Sequence, residues 1–238
     1  GFKAIFALKI LIRQADMDEI LQQIRTDLRR SMNGIASKSM REKGLHYKLN
    51  FGVDVPRLRE LSKRYPIDAQ LAELLWRQET RELKILATML YPVHEFDMDK
   101  ADEWVKEIPN HEIREQVSMN LFQKLDFADK LVQKWTDSKD EEVRTSGYWL
   151  FARLLIVKSG LVNKTNQNEI MEKMISDLSA GSYFLRLSAQ RALTFLGRTA
   201  ESFSKKILDG IQDLQTSGDA AKKEIFDSLS FEFTDFPD

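Results

Sequence analysis

Four stretches of this sequence repeat one pattern, and that repetition narrows the possible folds more than any other feature. Each stretch enters with an apolar–basic pair, usually after an acidic residue. A small or β-branched residue follows three positions on. The copies are Glu82-Leu83-Lys84-Ile85-Leu86-Ala87, Glu112-Ile113-Arg114-Glu115-Gln116-Val117, Glu142-Val143-Arg144-Thr145-Ser146-Gly147 and Phe184-Leu185-Arg186-Leu187-Ser188-Ala189. Lys84, Arg114, Arg144 and Arg186 are therefore spaced by 30, 30 and 42 residues. Thirty residues hold two helices of about 12 residues and two turns. A single hairpin of that size cannot bury its own apolar face, so neighbouring hairpins must cover it. The pattern predicts a stack of helical hairpins, with the basic residue in the same place in each unit.

Helical period runs through nearly the whole chain. The stretch from Met17 places Ile20, Leu21, Ile24 and Leu28 on one stripe. Pro56, just after Asp54, opens a capped helix. Further helices are expected over 69–76, 79–91, 98–107, 111–125, 127–135, 140–157, 167–178, 182–197, 201–215 and 219–229. Residues 50–56 read as a linker, and the stretch around Ser37-Lys38-Ser39 reads as loop. Gly and Pro together number only 15 of 238 residues, which leaves few tight turns for a many-stranded sandwich or barrel. With 42% apolar and 31% charged residues, the chain has the composition of a folded globular protein.

Residues 2–12 are apolar apart from Lys3 and Lys9, a run too short to cross a bilayer. We expect residues 1–16 to form an N-terminal extension or capping helix, residues 17–216 a repeat domain, and residues 217–238 a terminal helix with an acidic–aromatic tail. Cysteine is absent, which excludes disulfides, thiol nucleophiles and cysteine–metal sites and suits a reducing, cytoplasmic setting. His46, His94 and His111 lack metal-ligand spacing. No phosphate-cradling glycine motif or nucleophile elbow occurs. Neither metal nor cofactor is expected.

Two antiparallel helices per unit resemble HEAT repeats. The segment Tyr47 to Lys63, YKLNFGVDVPRLRELSK, narrows the likeness. Its Gly52-Val53-Asp54-Val55-Pro56 core and the following Leu58, Arg59, Leu61 and Lys63 are similar to the N-terminal motif of the DNA alkylation repair family. That resemblance implies an all-α, curved solenoid of about six hairpins whose concave face holds duplex DNA by its backbone. It also implies relatives that excise cationic alkylated purines, using an Asp, an Arg and cleft Trp residues. Arg144 matches the family's arginine at the head of a repeat helix. The family's Trp-Trp-Asp stretch should fall at 110–118, where this chain has neither Trp nor Asp, and the family's later cleft Trp should fall near Gln190 and Arg191, where it is likewise absent.

The candidate site follows from these readings. Lys48, Arg57, Lys84, Arg114, Arg144, Arg186 and Arg191 are the candidate DNA-contacting residues. Arg144, Glu112 and Glu115 are the candidates for base excision, because a carboxylate stabilises the developing oxocarbenium ion. Structural pairing of the basic row with acids of the adjacent repeat is an equal alternative to phosphate contact. The Trp residues are expected to pack between hairpins, with Trp149 also placed to line a groove. Function then reads as binding of duplex or branched DNA; a protein-interaction scaffold and an active glycosylase with a divergent site are the alternatives.

The formal net charge of −1 hides an asymmetry. Residues 1–64 carry 14 basic and 7 acidic side chains, and residues 65–238 carry 22 basic and 30 acidic. This balance argues against indiscriminate polyanion binding but leaves room for a local basic face.

Overall fold

The computed structural model describes residues 2–234, with side chains from residue 12 onward. The side chains of residues 2–11, on which the capping role rests, and the last tail positions 235–238 lie outside the described residues. The fold is all-α. Among the described residues the β content is one isolated parallel bridge between Leu49 and Thr80. The chain divides into two compact units, residues 1–96 and 97–238.

The first unit holds α1 (Phe2–Arg30), α2 (Gly34–Glu42), α3 (Val55–Ser62), α4 (Ala69–Trp76) and α5 (Arg81–Leu90). Helix α1 is continuous through the position where the sequence reading set a boundary, because no Gly or Pro interrupts residues 2–30. Leu21, Ile24 and Leu28 are buried, as the stripe predicts. Helix α2 corrects the loop reading at Ser37-Lys38-Ser39. Asn33 caps it by accepting from the Ala36 amide, and Ser37 is buried with its hydroxyl donating to the Asn50 carbonyl at 2.8 Å. Asp54 and Asp68 cap α3 and α4 in the same way, each such cap contributing roughly 1 kcal/mol.

The second unit runs α6 (Met98–Lys106), α7 (His111–Asn120), α8 (Ala128–Thr136), α9 (Glu141–Ile156), α10 (Gln167–Asp177), α11 (Tyr183–Gly197), α12 (Glu201–Gly210), α13 (Gln212–Gln215) and α14 (Ala220–Glu232). The wider 42-residue interval accommodates a 3-10 turn at Gly160–Lys164. Side-chain caps at Asp97, Asn110, Asp140, Asn166, Ser182 and Asp219 start six of these helices. Trp104 and Trp135 are buried between hairpins, as is Trp76 in the first unit.

The repeated small residue has a clear task at Gly147. A Cβ there would meet the Thr136 backbone nitrogen at 2.8 Å, so Gly147 lets α9 approach the end of α8. Ala87, Val117 and Ala189 are fully buried at the equivalent places. Phe226 and Leu229 of α14 and Phe233 just after it are buried, and Phe233 lies against Gly197 at the end of α11. Through α7, α9 and α11, the second helices of successive hairpins pack side by side. That packing builds the face described next.

Candidate nucleic-acid interface

Lys84, Arg114, Arg144 and Arg186 each occupy the fourth position of their helices. Three of them reach back, Lys84 to the last residue of the preceding helix and Arg144 and Arg186 to the loop just after it. Lys84 Nζ donates to the Trp76 carbonyl at 2.6 Å, Arg144 Nη1 to the Ser138 carbonyl at 2.8 Å, and Arg186 Nη1 to the Ala180 and Gly181 carbonyls at 2.7 and 2.8 Å. At Trp76 the cation satisfies an orphan helix carbonyl and meets the negative end of the α4 dipole, and at Ser138, Ala180 and Gly181 the guanidinium ties down the connecting loop.

Two members of the row also clamp the next repeat. Arg114 is 1% exposed and donates to Ser146 at 3.0 Å and to Glu142, both on α9. Arg144 donates to Asp177 at the end of α10 at 2.7 and 3.3 Å. Burial and the Asp177 hydrogen bond push the Tyr148 phenol well above its ordinary range, so Tyr148 stays a donor to that carboxylate. The acids of the adjacent repeat thus take up both guanidinium groups, the structural pairing weighed from the sequence.

The remaining candidates are placed differently. Lys48 and Arg57 are exposed on the first unit; Lys48 pairs with Glu79 at 2.9 Å, and Arg57 Nε lies 3.4 Å from the Ser31 hydroxyl. Arg191 is exposed on α11, its guanidinium 4.9 Å from the Trp149 ring centroid and 5.4 Å from that of Phe195. Glu112 and Glu115 are half-buried on α7. Burial raises the Glu115 carboxyl above its usual range, with Arg191 opposing and Glu112 adding to the shift.

Arg191, Trp149 and Glu115 therefore meet on one face, together with residues that the sequence reading did not single out as a site. His111 on α7 stands edge-on to Trp149 at 4.6 Å and stacks on Phe184 of α11 at 4.5 Å with an interplanar angle of 16°. Arg153, one turn beyond Trp149 on α9, donates from Nε to Gln123 at 3.0 Å. Its guanidinium is shifted down by burial and by the like charge of Arg191. Among the described residues, neither Arg153 nor Arg191 makes an ion pair with a carboxylate.

The protonation state of His111 follows from its neighbours. Burial, Arg114 and Arg191 push it down to about 4, so it is neutral near pH 7. Arg114 Nη1 lies 3.1 Å from Nδ1, which must then accept, leaving the proton on Nε2. The face also holds buried polar atoms without a partner in the protein: Ser118 Oγ on α7, Trp149 Nε1 on α9 and Ser188 Oγ on α11. Aromatic rings beside arginines that lack carboxylate partners suit a ligand combining phosphates with flat bases. The spacing of His111 and Glu115, of Trp149 and Arg153, and of Phe184, Arg191 and Phe195 was the available signal, since each set shares a helix face.

A family model described as DNA alkylation repair enzyme matches residues 24–209. The chain belongs to the DNA alkylation repair family. Its fold is similar to that of a protein from "a new family of proteins related to the HEAT-like repeat DNA glycosylases with affinity for branched DNA structures". The TM-score is 0.70 at 15% identity, covering 88% of this chain and 94% of that one. A designed armadillo repeat protein in complex with the peptide (KR)4 gives a TM-score of 0.45 at 15% identity, over 91% of this chain and 94% of that one. Cex1p gives 0.43 at 14% identity, over 74% and 38%. A search of the curated proteins gives no match to the sequence. At such low identity the first of these structures supports the HEAT-like repeat fold and nothing finer.

In this member of the DNA alkylation repair family, the motif that carried the resemblance is an anchored loop. Glu82 is fully buried and accepts from the Phe51 and Val53 amides at 3.1 and 3.2 Å. Arg81 donates to the Val53 carbonyl at 2.7 Å and to Glu82 at 3.0 Å. The motif residues thus set how the loop before α3 sits on α5.

Proposed function

We propose that this family member binds DNA, duplex or branched, through the phosphate backbone, using the face formed by α7, α9 and α11. The observation that carries the reading is the Arg153–Arg191 pair. The Arg191 guanidinium lies over the Trp149 ring at 4.9 Å, and Arg153 sits one turn beyond Trp149 on α9, shifted down by burial and then by the like charge of Arg191. Among the described residues neither is ion-paired to a carboxylate, although the half-buried Glu115 feels the charge of Arg191. A phosphate between them would relieve the repulsion and match the planar donors of both. The adjacent aromatics Trp149 and Phe195 hold the Arg191 guanidinium in place through cation–π contact. Membership of the family and the likeness to a protein with affinity for branched DNA support the same reading.

The test is binding of the full chain to a short duplex and to a four-way junction over a range of salt concentrations. Affinity should fall as salt rises. Arg153→Glu with Arg191→Glu should weaken both complexes about tenfold or more, with no dependence on base sequence. The reading fails if neither DNA binds at low salt, if affinity is flat with salt, or if the folded double variant binds unchanged.

A further inference from the structure

The first turn of α11 departs from what packing requires. Leu185 is buried there, yet the two residues before it, Tyr183 and Phe184, are 62% and 41% exposed. Single exposed aromatics need no explanation. These two are in mutual contact, edge to face at 5.2 Å, and Phe184 is held flat by its stack on His111. His111 is itself wedged against Trp149, which lies under the Arg191 guanidinium. Exposed and buried rings therefore form one continuous array that ends under the Arg191 guanidinium.

We propose that Tyr183 and Phe184, backed by His111, form a stacking platform for one unpaired DNA base. The favoured substrate is then DNA with an unstacked base at a branch, bulge or gap, rather than a fully paired duplex. This rests on the reading that Arg153 and Arg191 contact the backbone. In a paired duplex both faces of each base are covered, so an exposed ring has nothing to stack on. At a branch or bulge a base is free at little cost, and an aromatic side chain accepts any of the four. His111 suits the role because it is neutral near pH 7 and presents a π-face without repelling the adjacent arginines. Phosphates flanking the base would then fall to the guanidinium groups, which supplies the charge complementarity.

The experiment compares binding of the full chain to a matched duplex and to the same duplex carrying a single unpaired 2-aminopurine. The wild-type chain should prefer the bulged DNA and quench the 2-aminopurine emission, the signature of stacking. Phe184→Ala with Tyr183→Ala should lower affinity for the bulged DNA by about 5- to 150-fold and leave the matched duplex unchanged. Phe184→Trp should keep both the preference and the quenching. Phe184→Leu keeps apolar cover on His111 but lacks the flat ring, so it should lose the preference without losing the fold, as thermal unfolding would verify. Retention of the preference and quenching in Phe184→Leu overturns the platform while leaving the backbone reading standing. Equal wild-type affinity for the two DNAs without quenching does the same. Absence of binding to either DNA removes both.

Discussion

Gly52 sits where the family-like motif crosses the start of α2, and its backbone is at φ +70°. Side chains rarely adopt that region, and an added Cβ would collide with the Asn33 carbonyl oxygen and lie 2.7 Å from the Ser37 amide nitrogen. Neither neighbour can move freely: Asn33 donates its amide to the Phe51 carbonyl at 2.9 Å, and Ser37 is hydrogen-bonded to Asn50. Gly52→Ala should therefore lower stability by at least about 2 kcal/mol, measured by urea unfolding. His111 gives a prediction in pH. Its pKa in the folded chain is depressed to about 4, below the ordinary histidine value, so the unfolded chain binds the proton more tightly. The contribution is complete above about pH 6.5 and is lost as pH falls toward 4. Glu115 works the other way, since its raised carboxyl pKa favours the folded state at lower pH. Between about pH 6.5 and 5, stability should drop on the order of 1–2 kcal/mol more in the wild-type chain than in His111→Phe. Glu115 is present in both chains compared, so the difference between them reports the histidine.

At the scale of elements, much of the fold was legible because hairpin repeats carry their own punctuation. Helix α4 has the predicted bounds, and Pro92, Pro109 and the Gly160 segment fall between helices. The exceptions have physical reasons. Helix α2 contains little apolar surface, and its inward residue is Ser37, held by a hydrogen bond rather than by a stripe. The expected helices over 111–125 and 201–215 each end in a separate short helical turn, at Phe122–Lys124 and Gln212–Gln215. The site was less legible than the fold. Periodicity identifies Arg114 and Arg144 as recurrent but says nothing about which partner takes up their charge. That depends on Glu142 and Asp177 in the following repeat. Phe184 and His111 are far apart in sequence, and only the packing of α11 beside α9 and α9 beside α7 brings them together. Arg191, singled out from the sequence, lies on that face, and Trp149 joins it from the middle of α9.

At the scale of the whole molecule, charge is divided between the two units. Residues 1–96 carry 17 basic and 12 acidic side chains, and residues 97–238 carry 19 basic and 25 acidic. A phosphate contact at Arg153 and Arg191 therefore acts against the net charge of its own unit. That opposition is long-ranged and fades beyond about 8 Å at physiological salt, whereas the direct contact does not. Lys48 and Arg57 lie in the oppositely charged unit, and Lys48 must exchange Glu79 for a phosphate. The salt dependence of binding separates these contributions. If about four phosphates are neutralised, log K falls against log salt with a slope of roughly −3.6. Arg153→Ala with Arg191→Ala should flatten that slope by about 0.9, the contribution of the one phosphate held between them. Lys48→Ala with Arg57→Ala should flatten it by less than about 1.8, because the Glu79 pair already neutralises Lys48 in the free chain. Fluorescence anisotropy over a salt series gives both slopes. An unchanged slope in the Lys48 and Arg57 variant confines backbone contact to residues 97–238. An unchanged slope in the Arg153 and Arg191 variant moves the contact off the aromatic face altogether.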